Sequence, residues 1–96
     1  MIAIIRITYN DDGIASKSAS LALVPSIEDA KEIILNELCR DFNSKWDSLQ
    51  EAAKDLDNDL YDCHYDGSTF SWYDNGKGVT YIFSNFDTNK KEFQDL

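Results

Sequence analysis

Apolar residues recur through the middle of the chain at Ile27, Ala30, Ile34, Leu38, Phe42, Trp46, Leu49, Ala53, Leu56 and Leu60. Every step is three or four, the repeat of one helical face rather than the alternation of a strand. Ser26-Ile27-Glu28-Asp29 opens the stretch as an N-cap: the serine oxygen can accept from the Asp29 amide, and two acids face the positive end of the dipole. A second start signal lies inside it. Asn43 can take a left-handed cap, and Ser44-Lys45-Trp46-Asp47 repeats the serine-to-acid spacing. An unbroken helix from Ile27 to Leu56 would be about 45 Å long, against a radius of gyration of about 12–13 Å for a compact chain of this length. The stripe still passes Asn43 without a phase jump, so one long helix and a broken one both fit. Asp55, Asp57 and Asp59 oppose the dipole at the far end, which places the helix terminus near Leu56.

The flanks read as strands. Ile2–Tyr9 is β-branched and apolar on both faces, with Ala3, Ile5, Ile7 and Tyr9 on one side and Ile2 and Ile4 on the other, a pattern that belongs inside a sheet. Asn10-Asp11-Asp12-Gly13 turns the chain back. Ile14–Ser18 reads as a loose edge and Ala19–Val24 as a firmer strand, which Pro25 stops. After the helical stretch, Leu60–Tyr65, Thr69–Tyr73 and Val79–Phe83 read as three strands joined at Asp66-Gly67 and Asn75-Gly76, pairs favoured in two-residue hairpins. Tight turns there set Cys63 against Phe70 and Tyr61 against Trp72, then Trp72 against Val79 and Phe70 against Tyr81. Both turns put Tyr61, Cys63, Tyr65, Phe70, Trp72, Val79, Tyr81 and Phe83 on one buried face. Asp62, His64, Thr69, Ser71, Tyr73, Thr80 and Ser84 take the other. The expected class is α+β: an N-terminal hairpin and a C-terminal three-stranded meander forming an antiparallel sheet, packed on one long or broken central helix. The pattern leaves the strand order open. Asp87–Leu96 reads as a polar tail or short terminal helix on a single domain spanning 1–96.

Charge changes this picture. The 96 residues include 18 acidic and 9 basic ones, net −9. Between Glu28 and Asp66 the chain holds 12 acidic and 4 basic residues; elsewhere it holds 6 and 5. Such a chain is repelled by phosphate backbones and anionic membranes and drawn to basic surfaces. Direct nucleic-acid binding and membrane binding are therefore not expected. Met1–Tyr9 has no charged leader or cleavage site, no run approaches a membrane span, and the expected location is the cytoplasm. Cys39 and Cys63 are then core thiols rather than a disulfide.

Candidate chemistry is thin. Cys63 and His64 are neighbours in a strand and point to opposite faces, so they make neither a metal pair nor a nucleophile with its base. The i,i+4 carboxylate pairs Glu28/Glu32, Glu37/Asp41, Asp47/Glu51 and Glu51/Asp55 lie away from the apolar stripe and are expected to be solvated, without the burial that splits pKa values for acid–base work. Gly13, Gly67, Gly76 and Gly78 are turn glycines, not a phosphate loop. No metal, cofactor or catalytic residue is expected.

A short, strongly acidic α+β chain with tight aromatic hairpins and an acidic stretch from Glu28 to Asp66 resembles phage-encoded anti-defence proteins, the anti-CRISPR proteins and anti-restriction DNA mimics. The resemblance implies a non-enzymatic inhibitor acting in the host cytoplasm, presenting carboxylates to a basic surface of a nuclease or nucleic-acid-binding complex. On the residues themselves, the expected contacts are Asp47, Glu51, Asp55, Asp57, Asp59 and Asp62, with Glu37 and Asp41 as a second cluster. Asp47, Glu51 and Asp55 would share one helical row. The alternative is a small adaptor or regulatory module that binds a protein through an apolar or aromatic patch, its charge serving solubility alone.

Overall fold

In the computed structural model, which describes residues 1–85, two helices lie on one side of a five-stranded antiparallel sheet. The elements are β1 (Ile2–Tyr9), β2 (Ala15–Val24), α1 (Ile27–Phe42), α2 (Leu49–Asn58), β3 (Asp62–Tyr65), β4 (Thr69–Asp74) and β5 (Lys77–Asn85). The tail or helix expected over Asp87–Leu96 lies outside the described residues. Strand order is β2-β1-β5-β4-β3, so the N-terminal hairpin joins the C-terminal meander through the β1–β5 pair. β1, apolar on both faces, has neighbours on both sides. The whole of Ala15–Val24 is strand, including the stretch expected to be loose.

The central helix is broken, not continuous. Asn43 adopts the left-handed conformation (φ 52°), and the Ser44 amide returns to the Cys39 carbonyl at 2.9 Å, which closes α1. The second helix does not start at Ser44. Its N-cap is Ser48, whose Oγ accepts from the Glu51 amide at 3.1 Å, so Asp47 sits before the helix and outside any helical row with Glu51 and Asp55. The connection is held by Cys39, whose Sγ accepts from the Trp46 amide at 3.5 Å. α2 runs past Leu56 to Asn58 and ends with Leu60 left-handed (φ 73°) and the Tyr61 amide bonded to the Leu56 carbonyl at 3.1 Å. Leu60 and Tyr61 therefore form the helix exit, not the start of β3. Leu60, counted in the apolar stripe, is 93% exposed, and Ala52 rather than Ala53 is the fully buried alanine of α2.

The meander keeps its faces. Asn75-Gly76 is a two-residue turn with both φ angles positive, setting Trp72 against Val79 and Phe70 against Tyr81 as the turn chemistry requires. Asp66-Gly67 opens wider than expected: Tyr65 pairs with Phe70 and Cys63 with Trp72. The reason is the Asp66 carboxylate, whose Oδ1 accepts from the Ser68 and Thr69 amides and holds a longer loop. The slip is two residues, so every side chain stays on its face. Ile2, Ile4, Phe70, Tyr81 and Phe83 meet Ala30, Ile34, Leu38, Leu49, Ala52 and Leu56 in the core. Phe42, Tyr61 and Trp72 stack edge-on at the α1–α2 corner.

Candidate functional site

The acidic surface is built around α2. Its buried edge, Leu49, Ala52 and Leu56, fixes which residues face outward. Glu51, Asp55, Asp57 and Asp59 are all exposed, against one lysine, Lys54, in the helix. Asp47 is exposed just before the N-cap. The helix break has a consequence for this surface. On one rod, Glu32 and Asp47 would stand about 22 Å apart at 1.5 Å per residue. In the folded chain Glu28, Glu32 and Asp47 line the same cleft of about 300 Å³ between α1 and the start of α2. Sequence reasoning missed this grouping, because it depends on the turn angle at 43–48 and no local signal encodes that angle.

Several of the expected contact residues have work inside the fold. The Glu51 carboxylate accepts from the Asp47 amide at 3.0 Å, one residue before the Ser48 N-cap whose Oγ accepts from the Glu51 amide, and so ties the entry of α2. Asp55 Oδ2 accepts from the indole Nε1 of the buried Trp46 at 2.8 Å. Glu37, expected to be solvated beside Asp41, is turned onto the sheet. Its Oε1 is paired with Arg6 of β1 and accepts from the Tyr81 hydroxyl of β5 at 3.0 Å. Burial first, and then the Glu37 charge, pushes the Tyr81 phenol well above its ordinary value. The physical reason is simple: Arg6 and Tyr81 are polar tips on the helix-side face, and Glu37 is the α1 group that satisfies them. Asp41 remains exposed, 3.9 Å from Arg40.

Asp62 stands apart from the others. Its β3 neighbours Cys63 and Tyr65 pack toward the helices, so Asp62 and His64 project from the opposite face of the sheet edge. Cys63 is half-buried on the α2 side, where burial and then the Asp57 charge push its thiol up to about 11. His64 is exposed and lies 3.4 Å from Asp66, whose carboxyl is lowered to about 2 by the Ser68 and Thr69 amides. The expected acids therefore divide: Asp47 joins Glu28 and Glu32 in the cleft, with Lys31 beside Glu28 at 3.8 Å, Glu51 and Asp55 share a row of α2, Asp57 lies on the β3 side of α2 near Cys63, and Glu37 and Asp62 are turned elsewhere. Among the described residues no helix is long and apolar enough to cross a membrane, and no group of three metal-ligand side chains is assembled. Compared with known proteins, the chain matches no family model, no curated protein and no solved structure.

Proposed function

We propose that the chain is a non-enzymatic inhibitor whose α2 surface occupies a basic, nucleic-acid-binding surface of a partner protein, in the manner of acidic anti-CRISPR or anti-restriction proteins. One observation carries this reading: the last turn of α2 holds Asp55 and Asp57, Asp59 caps it, and no basic residue is present there. A helix C-terminus disfavours each such charge by about 0.3–1 kcal/mol. Asp55 is needed by Trp46, but among the described residues Asp57 and Asp59 have no basic side-chain partner that offsets the cost. Solubility alone would be served as well by acids at the N-terminal turn or by lysines at this end. Carboxylates kept where the fold penalises them support a surface made for cations.

The test is capture from lysate of the native host, followed by mass spectrometry. The comparison protein is the triple variant Asp47→Lys, Asp57→Lys, Asp59→Lys. These positions are exposed, and lysine at the last two complements the helix dipole, so the fold survives. The Glu51 and Asp55 side chains are left intact because they tie the entry of α2 and hold Trp46. The wild-type chain is expected to retain a nucleic-acid-binding protein that double-stranded DNA displaces, and the triple variant to retain none. Equal retention by both chains would overturn the reading.

A further inference from the structure

The two edges of the sheet are finished differently. At β2 the ladder slips twice, between Ile4 and Ile5 and between Thr8 and Tyr9, and such bulges twist an edge away from further pairing. At the other edge, Asp62–Tyr65 pairs with β4 in one unbroken register, and among the described residues β3 has no neighbour on its outer side. We propose that this edge receives an extended basic segment of the partner protein, laid antiparallel to β3 as a sixth strand and walled on one side by α2. That the partner is basic rests on the inhibitor reading; that it enters as a strand rests on the geometry of β3 and α2.

Which groups face the open edge follows from the hairpin. The Asp66 amide donates to the Thr69 carbonyl, so Asp66 and Thr69 are a hydrogen-bonded pair. Bonded and non-bonded pairs alternate along an antiparallel ladder. Tyr65 with Phe70 and Cys63 with Trp72 are therefore non-bonded pairs, and the amides and carbonyls of Cys63 and Tyr65 point outward. The side chains of the same two residues lean to the helix side, where they are half-buried. A strand added there finds four main-chain partners, and every second side chain of it enters the space between β3 and α2.

That space is a groove of about 410 Å³. One wall is the α2 row Gln50, Ala53, Lys54 and Asp57, about 10 Å long at 1.5 Å per residue, and β3 forms the other from Cys63 to Tyr65. Gln50 and Tyr65 also line the cleft of about 300 Å³ that holds Glu28, Glu32 and Asp47, so groove and cleft run together. The lining specifies the two inward positions of the added strand. Opposite Cys63, Lys54 offsets Asp57, and Ala53 leaves room for a small apolar side chain. Opposite Tyr65 the groove opens on the cleft, where Leu35, Leu49 and Tyr65 cover an aliphatic stem and the carboxylates meet a guanidinium. Lys31 answers only one of those carboxylates, Glu28, at 3.8 Å. A second copy of the chain fits poorly, since its own β3 edge would set Asp57 and Asp62 against their counterparts.

Amide hydrogen exchange of the full chain tests the proposal, with a synthetic peptide as the probe: arginine and valine at alternate positions, threonine between them. With the peptide in excess of its dissociation constant, exchange at the Cys63 and Tyr65 amides should slow about tenfold or more. Glu32→Lys with Asp47→Lys, both at exposed positions, should weaken the peptide about tenfold or more, while Asp12→Lys, in the β1–β2 turn, should not. N-methylation of the peptide's arginine and valine amides should abolish docking, because those amides face β3. Exchange at Cys63 and Tyr65 that the peptide leaves unchanged overturns the proposal. So does equal docking of the N-methylated peptide, or an affinity that the Glu32 and Asp47 changes leave intact. Slowing of the same amides as the chain alone is concentrated would assign the edge to a second copy and overturn it too. Docking of the peptide with no nucleic-acid-binding protein captured from lysate would overturn the inhibitor reading alone.

Discussion

Glu37 ties three elements together, and its removal leaves the Tyr81 hydroxyl buried without its acceptor and Arg6 without its counter-ion. Glu37→Ala should therefore lower stability by about 1–3 kcal/mol, while Asp41→Ala, one turn away and exposed, should change it little. Urea unfolding of the two variants checks this, and equal losses would contradict the assigned roles. Asp66 makes a prediction in pH. Its carboxyl, held at about 2 against an ordinary 3.8, favours the folded state above the ordinary value. That contribution is lost as pH falls from 3.8 toward 2. Asp66→Asn should remove this part of the acid limb in pH-dependent melts; an unchanged limb would place the acid sensitivity elsewhere.

At the scale of elements, the type of each was legible because it rests on local pattern. The threes and fours from Ile27 to Leu56 demand helix, and the alternation from Thr69 to Phe83 demands strands. Asn75-Gly76 fixed its register because both residues accept positive φ. Asp66-Gly67 did not, because a side chain competed with the backbone for the turn. The helix break was ambiguous for a related reason. Asn43 signalled an end, but the new start needed Ser48 with Glu51 rather than Ser44 with Asp47, and cap spacing alone fits both. The Arg6–Glu37–Tyr81 link joins residues distant in sequence, and no local signal marks it. Leu60 gives the element-scale prediction. A leucine at φ 73°, almost fully exposed, stores backbone strain without burying its side chain. Leu60→Gly should raise stability by up to about 1 kcal/mol, the relieved strain exceeding the added flexibility of the unfolded chain. A lower denaturant midpoint would show that the Leu60 side chain is holding something.

At the scale of the molecule, the chain carries carboxylates on its helical side, around α2 and in the cleft with α1. The proposed inhibitor function rests on that side and predicts a particular physical signature. Attraction between carboxylates and a lysine- and arginine-lined groove is screened within about 8–10 Å at physiological ionic strength, whereas apolar contact is not weakened by salt. The most direct measurement is the dissociation constant between the full chain and its captured partner, titrated from low to physiological salt. The account predicts that affinity falls at least tenfold over that range, mainly through a slower association rate, and that Asp47→Lys, Asp57→Lys, Asp59→Lys abolishes binding. An affinity indifferent to salt and to that triple change would contradict it, and would leave the acidic side of α2 as a solvated surface only.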